Sequence, residues 1–248
     1  MKISICLSIS LLICVLLSDY IKKYKTSFYV VCSSISITLM YYTLLILNGY
    51  NVEFMPVIKE IMNSIDSGAL GGALFILVMY MGVIDKKNII SKKLVRNRGE
   101  ISIIAGIFTI PHNFHYFTRF ILQFDNISRS TGISLWTNLM MFASGVFGII
   151  ILIPLFVTSF MYIRKKMSAK KWKILQEYAY IFYAMIYVQV MMVYLARPSG
   201  WNRNLNLVLY TLIFGLYTVF KVKLIYEKKK NSSKVSTTNQ IKSNIVKG

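Results

Sequence analysis

Residues 136–162 read WTNLMMFASGVFGIIILIPLFVTSFMY, 27 positions without one charged side chain. As a helix this stretch rises about 40 Å, more than the roughly 30 Å of a bilayer's hydrocarbon core. Pro154 lies inside it and predicts a kink, or an extension past the membrane. Working outward, six more apolar stretches fall at 3–19, 27–48, 67–84, 101–121, 175–195 and 204–226. Each has the length of a transmembrane helix. The expected fold is therefore an all-α polytopic bundle of six or seven transmembrane helices.

Charge patterning sets the expected orientation. Of the 29 Lys and Arg residues, 23 fall in the segments 20–26, 85–100, 163–174 and the tail from 221. The other six are Lys2, Lys59, Arg119, Arg129, Arg197 and Arg203, at or near the opposite ends of the spans. Basic loops stay cytoplasmic, so the N-terminus is expected outside and the C-terminus inside. The loop 49–66 carries Glu53, Glu60 and Asp66 and is acidic. The polar tail 227–248 reads as disordered. The net charge of +20 is confined to these loops and does not imply a nucleic-acid partner; the lipid bilayer is the expected one. The first stretch has its positive charge after the apolar core and has no small-residue cleavage site, so it reads as a retained helix and not a signal peptide. Abundant Lys, Ile, Asn and Tyr fit an AT-rich genome and point to a bacterial cytoplasmic membrane.

The longest internal segment between spans is only about 18 residues, too short for a nucleotide-binding fold, and neither G-x-G-x-x-G nor a P-loop motif occurs. Electrons, if the chain carries any, come from a redox partner protein or a membrane quinol. Cys6, Cys14 and Cys32 all fall inside spans, without C-x-x-C spacing, and read as packing residues. Paired carboxylates, a Ser–His–Asp set and zinc-ligand spacing are also absent, which argues against a hydrolase.

The two histidines, His112 and His115, both lie in the fourth stretch. Ionisable groups at membrane depth are costly and mark candidate sites. Three residues apart, they share a helix face, which Arg119 continues. A neutral imidazole can ligate haem iron, and an arginine can pair with haem propionates. The alternative is a histidine hydrogen-bonded between helices, with Arg119 snorkelling to the surface. Small residues cluster at Gly68, Ala69, Gly71, Gly72 and Ala73, at Ala105 and Gly106, and at Ala143, Ser144, Gly145 and Gly148. They predict either close helix packing or a gap for a flat cofactor.

The runs SGALGGALFILVMYMGVIDKK…LVRNRGEISIIAGIFTIPHNFHY (67–116) and PLFVTSFMYIRKKMSAKKWKILQEYAY (154–180) resemble the ferric reductase-like transmembrane domain. The resemblance is nearest to the haem-binding membrane subunit of the periplasmic methionine sulfoxide reductase system. It covers about 67–226, with residues 1–66 supplying two further helices and the acidic outer loop. It implies haem b held between helices, with His112 and Tyr116 matching the family's histidine and tyrosine, and Arg96 and Arg98 its basic approach. Pro154, Thr158, Ser159, Trp172 and Leu175 match the second run. The family's two histidines on the next helix correspond here to Gln176 and Gln189. The resemblance points to His112 and the Gln189 position, the helix-face pattern adds His115 and Arg119, and these four are the candidates for holding haem, with His112 and His115 as metal ligands. Two functions follow: an electron-transfer component without its own flavin or nicotinamide domain, or a haem-free relative acting as a binding or assembly subunit.

Overall fold

Backbone amides in hydrocarbon find no water, so an apolar segment crossing a membrane satisfies them internally as a helix. The computed structural model describes residues 2–50, 53–129 and 131–245, and these residues contain helices and no strand. In chain order the helices are α1 (Lys2–Leu16), α2 (Ser18–Lys23), α3 (Lys25–Leu47), α4 (Pro56–Asp66), α5 (Ala69–Tyr80), α6 (Ile89–Arg96), α7 (Arg98–Leu122), α8 (Phe124–Ser128), α9 (Ile133–Val157), α10 (Met161–Arg164), α11 (Ala169–Leu195) and α12 (Trp201–Ile245).

All seven apolar stretches become helix, and the protein is a polytopic bundle. Among the described residues, four helices are long and apolar enough to cross a membrane: Lys25–Leu47, Leu135–Val157, Ala169–Leu195 and Trp201–Glu227. The pair α4 and α5, bent by 58° at its break, makes a fifth if it counts as one span. The 15 residues of α1 give only about 22 Å. The 25 residues of α7 are long enough, but Arg98, Glu100, Arg119 and the two histidines dilute its hydropathy.

Three local differences from the expectations have physical causes. More than half of the segment expected as an acidic loop is the amphipathic helix α4, opened by Pro56 at its first position, where proline's missing N–H costs nothing. The fifth stretch ends at Val157, three residues past Pro154, and the Thr158 hydroxyl donates to the Pro154 carbonyl at 2.7 Å. The stretch expected to be disordered continues α12 to Ile245, because a helix nucleated in the span propagates cheaply. Positions 51 and 52 of the outer loop and the last three residues of the tail lie outside the described residues.

The centre of the bundle is α7, which packs against α3, α4, α5 and α9; α1 covers α5, and α11 packs against α9 and α12. Pro111 inside α7 leaves the Ile107 carbonyl without its helical donor. Ser36 of α3 supplies that donor, its hydroxyl 3.1 Å from the Ile107 oxygen. At the basic end, the α6–α7 junction is latched to α2. Asn97, fully buried, donates to the Ser18 carbonyl at 2.6 Å and meets the Ser18 hydroxyl at 2.8 Å. Lys22 pairs with Glu100 at 2.6 Å, and Asp19 pairs with Lys93 and Arg96. Those two cations hold the Asp19 carboxyl below its ordinary pKa.

Candidate functional site

The break between α4 and α5 builds the site. Gly68 has φ +74°, a left-handed conformation that glycine adopts freely. The imidazole of His112 lies directly over it: a Cβ at Gly68 would sit 2.8–2.9 Å from three ring atoms. The turn also presents the Asp66 carbonyl, 2.8 Å from His112 Nδ1. A carbonyl only accepts, so Nδ1 carries the hydrogen and Nε2 holds the free lone pair of the neutral ring. Fixing one ring nitrogen in this way orients an imidazole for ligation through the other. The Tyr116 ring lies 4.7 Å from the His112 ring.

His112 borders a cavity of about 640 Å³ between α1, α5, α7, α9, α11 and the start of α12. That size is in the range of cofactor sites. The small residues divide into two groups around it. Gly71 abuts the Thr109 hydroxyl, where a Cβ would come within 2.6 Å, and Gly106 abuts the Phe156 ring; these serve close packing. Gly72 and Gly148 line the cavity and have nothing within 4 Å of a would-be Cβ. Gly145, also on the wall, faces the Gln189 amide. The small residues therefore divide between close helix packing and an open cavity wall.

The sequence-derived candidates do not all converge. His112 and Gln189 line the same cavity. His115 does not; its Nδ1 lies 3.3 Å from an Asp66 carboxylate oxygen. Arg119 borders a second cavity of about 270 Å³ between α7, α8, α9 and α11, and meets the Gln123 side chain at 3.3 Å. Gln189, Asn113, Tyr116, Met141, Gly145 and Ile149 border both cavities. Gln176 borders neither. Among the described residues, no cluster of three His, Cys, Asp or Glu side chains could hold a metal by itself.

Sequence reasoning did not select Asp66, Lys2, Arg197, Asn202 or Asn206, although the last four line the larger cavity. A signal existed for two of them. Lys2 and Arg197 belong to the small set of basic residues on the expected outer side, against the general charge asymmetry.

Fold and site together define a polytopic helical membrane protein with a histidine-bearing cavity inside its bundle. Residues 67–187, just under half of the chain, match the family described as ferric reductase like transmembrane component. This match supports a ferric reductase-like transmembrane domain for the segment holding His112 and the cavity glycines. The chain is also similar to an uncharacterized protein of Treponema pallidum (strain Nichols), at 28% identity over 231 residues, 91% of this chain and 61% of that protein. It thus spans about three fifths of that relative's length. No solved structure matches.

Proposed function

We propose that the chain is a membrane electron-transfer component of the ferric reductase-like type that holds haem b in the larger cavity, with His112 as an iron ligand. The observation that carries this reading is the His112 ring. It is tied by Nδ1 to the Asp66 carbonyl and borders a cavity of about 640 Å³ whose walls Gly72 and Gly148 leave open. The residues fit the group: one imidazole with a free nitrogen, a wall without Cβ atoms, and an apolar lining that includes Phe75, Ile76, Leu152 and Phe182. When bound, haem supplies a one-electron iron couple inside the bilayer. The protein's own part is to orient the imidazole, exclude water and leave Gln189 on the wall as a weak second donor. His115, held to Asp66, supports the α4–α5 turn in this reading.

In this reading the chain sits in a bacterial cytoplasmic membrane, N-terminus outside and C-terminus inside, and takes electrons from a partner protein or a quinol. Soret absorbance per mole of purified protein tests the haem assignment. Wild type is expected to hold haem weakly, Gln189→His to retain more, and His112→Ala to retain less. A full complement untouched by His112→Ala would refute the ligand. Absence of haem from both wild type and Gln189→His would leave the haem-free binding or assembly subunit, the reading that Gln189 in place of a histidine favours.

A further inference from the structure

The charges around the larger cavity are one-sided. Lys2 and Arg197 line it, and no Asp or Glu does so among the described residues. Both cations lie at one end of the cavity, Lys2 at the start of α1 and Arg197 in the turn between α11 and α12. Asn202 and Asn206, in the first turns of α12, add amides at the same end. The Arg197 guanidinium lies 4.9 Å from the Tyr194 ring centroid, which leaves its N–H edge free to donate. Lys2 reaches Glu60 only at 3.9 Å, both side chains being more than half exposed, a geometry that contributes little. The cavity therefore has an apolar, glycine-walled body and a cationic rim, the complement of a flat molecule with carboxylates at one edge.

We propose that Lys2 and Arg197 form the carboxylate-binding end of this cavity and that Arg197 is its principal anchor. The proposal rests on the haem reading: the carboxylates are the two propionates, and the anchor is Arg197, not Arg119, which borders the other cavity. Lys2 and Arg197 are exposed at this rim, and charge-assisted hydrogen bonds from them fix the edge of the molecule, so the macrocycle's position along the cavity follows from Arg197, independently of the His112–iron bond.

The test compares two probes on the full chain in detergent: iron protoporphyrin IX and its dimethyl ester, which keeps the iron and macrocycle but lacks the negative charges. Equilibrium binding is read from the Soret band and from quenching of intrinsic fluorescence. Wild type is expected to bind the free acid about tenfold more tightly than the ester. Arg197→Gln should remove most of that preference, and Lys2→Gln part of it. Arg197→Lys should restore part, and Arg119→Gln should leave it unchanged. Because ester binding is the internal control, a misfolded variant shows itself by losing both probes, and Arg197→Lys then decides the matter: ester binding kept with a reduced preference for the free acid supports the anchor, and a preference equal to that of wild type overturns it. Equal affinity of wild type for the two probes, or an unchanged preference in Arg197→Gln, overturns the proposal while leaving haem binding intact. Failure of wild type to bind either probe overturns the haem reading itself, and the anchor with it.

Discussion

Substituting alanine at two glycines four residues apart separates a glycine that packs from a glycine that makes room. At Gly68 the backbone has φ +74°, and a residue with a Cβ in the left-handed region costs about 1–2 kcal/mol. The new methyl would also sit 2.8–2.9 Å from three atoms of the His112 ring, so the ring must move by several tenths of an ångström. That movement stretches the 2.8 Å bond from Nδ1 to the Asp66 carbonyl, worth about 1 kcal/mol. Gly68→Ala should therefore cost about 2–3 kcal/mol. At roughly 2–4 °C per kcal/mol for a chain of this size, the melting temperature falls by about 4–12 °C. At Gly72 the same methyl meets nothing within 4 Å, and in a helix Ala is favoured over Gly by about 1 kcal/mol. Gly72→Ala should melt at or above wild type. Gly72→Leu should fill cavity space and lower haem retention while leaving the melting of the ligand-free protein in place. Scanning fluorimetry in detergent, with monodispersity checked by size exclusion, measures both. A Gly68→Ala protein that melts with wild type would show that the His112 ring does not lie over the α4–α5 turn, and a Gly72→Ala protein that melts well below it would show that Gly72 does not face open space.

Three further outcomes follow from other parts of the bundle. A reporter fused after Lys247 should be active only in a cytoplasmic-type assay; periplasmic activity would overturn the orientation read from the 23 basic residues of the loops and tail. Asn97→Ala should lower stability by about 2–3 kcal/mol, since it leaves the buried Ser18 carbonyl and hydroxyl without their donor; unchanged melting would refute the latch. Asp19→Asn removes a carboxylate whose folded pKa is depressed by Arg96 and Lys93. A depressed carboxylate stabilises above its unfolded pKa of about 3.9 and loses that contribution as pH falls below it. The gap in melting temperature between wild type and Asp19→Asn should therefore close below about pH 4, and a gap that persists there would mean the ion pairs do not carry it.

How far the sequence could be read depended on whether each feature is local or tertiary. Span positions follow from runs of apolar side chains, which is why all seven stretches became helices. The α4 segment escaped because Lys59, Glu60 and Asn63 break its apolar run, although their spacing leaves one apolar face with Ile65 buried. His112 was legible as an ionisable group at membrane depth. That His112, and not His115, borders the cavity was not, since both share a helix face and both touch Asp66, one through its carbonyl and the other through its carboxylate. The rim was the least legible part. Lys2 and Arg197 are nearly 200 positions apart and meet at one cavity only because the start of α1 and the α11–α12 turn border it together.

The same geometry bears on how many cofactors the bundle can hold. Gln176 lies thirteen residues before Gln189 on α11, about 20 Å deeper toward the basic end, and it borders neither cavity. Between that level and Gln189 the interior is filled by aromatic side chains. Tyr183 and Tyr217 are buried with ring centroids 6.3 Å apart, Tyr80 lies 5.9 Å from Tyr217, and its hydroxyl donates to the Ile213 carbonyl at 2.6 Å. The Phe75 and Phe182 rings, 4.9 Å apart, continue this cluster up to the cavity wall. A flat cofactor below the level of His112 and Gln189 would have to displace several packed rings, whereas at that level the glycines already leave the space. Under the proposed function the chain is therefore built for one haem, in the half of the bundle where the cationic rim lies. An electron arriving from the basic end must cross a packed aromatic interior to reach it, while one arriving at the rim need not.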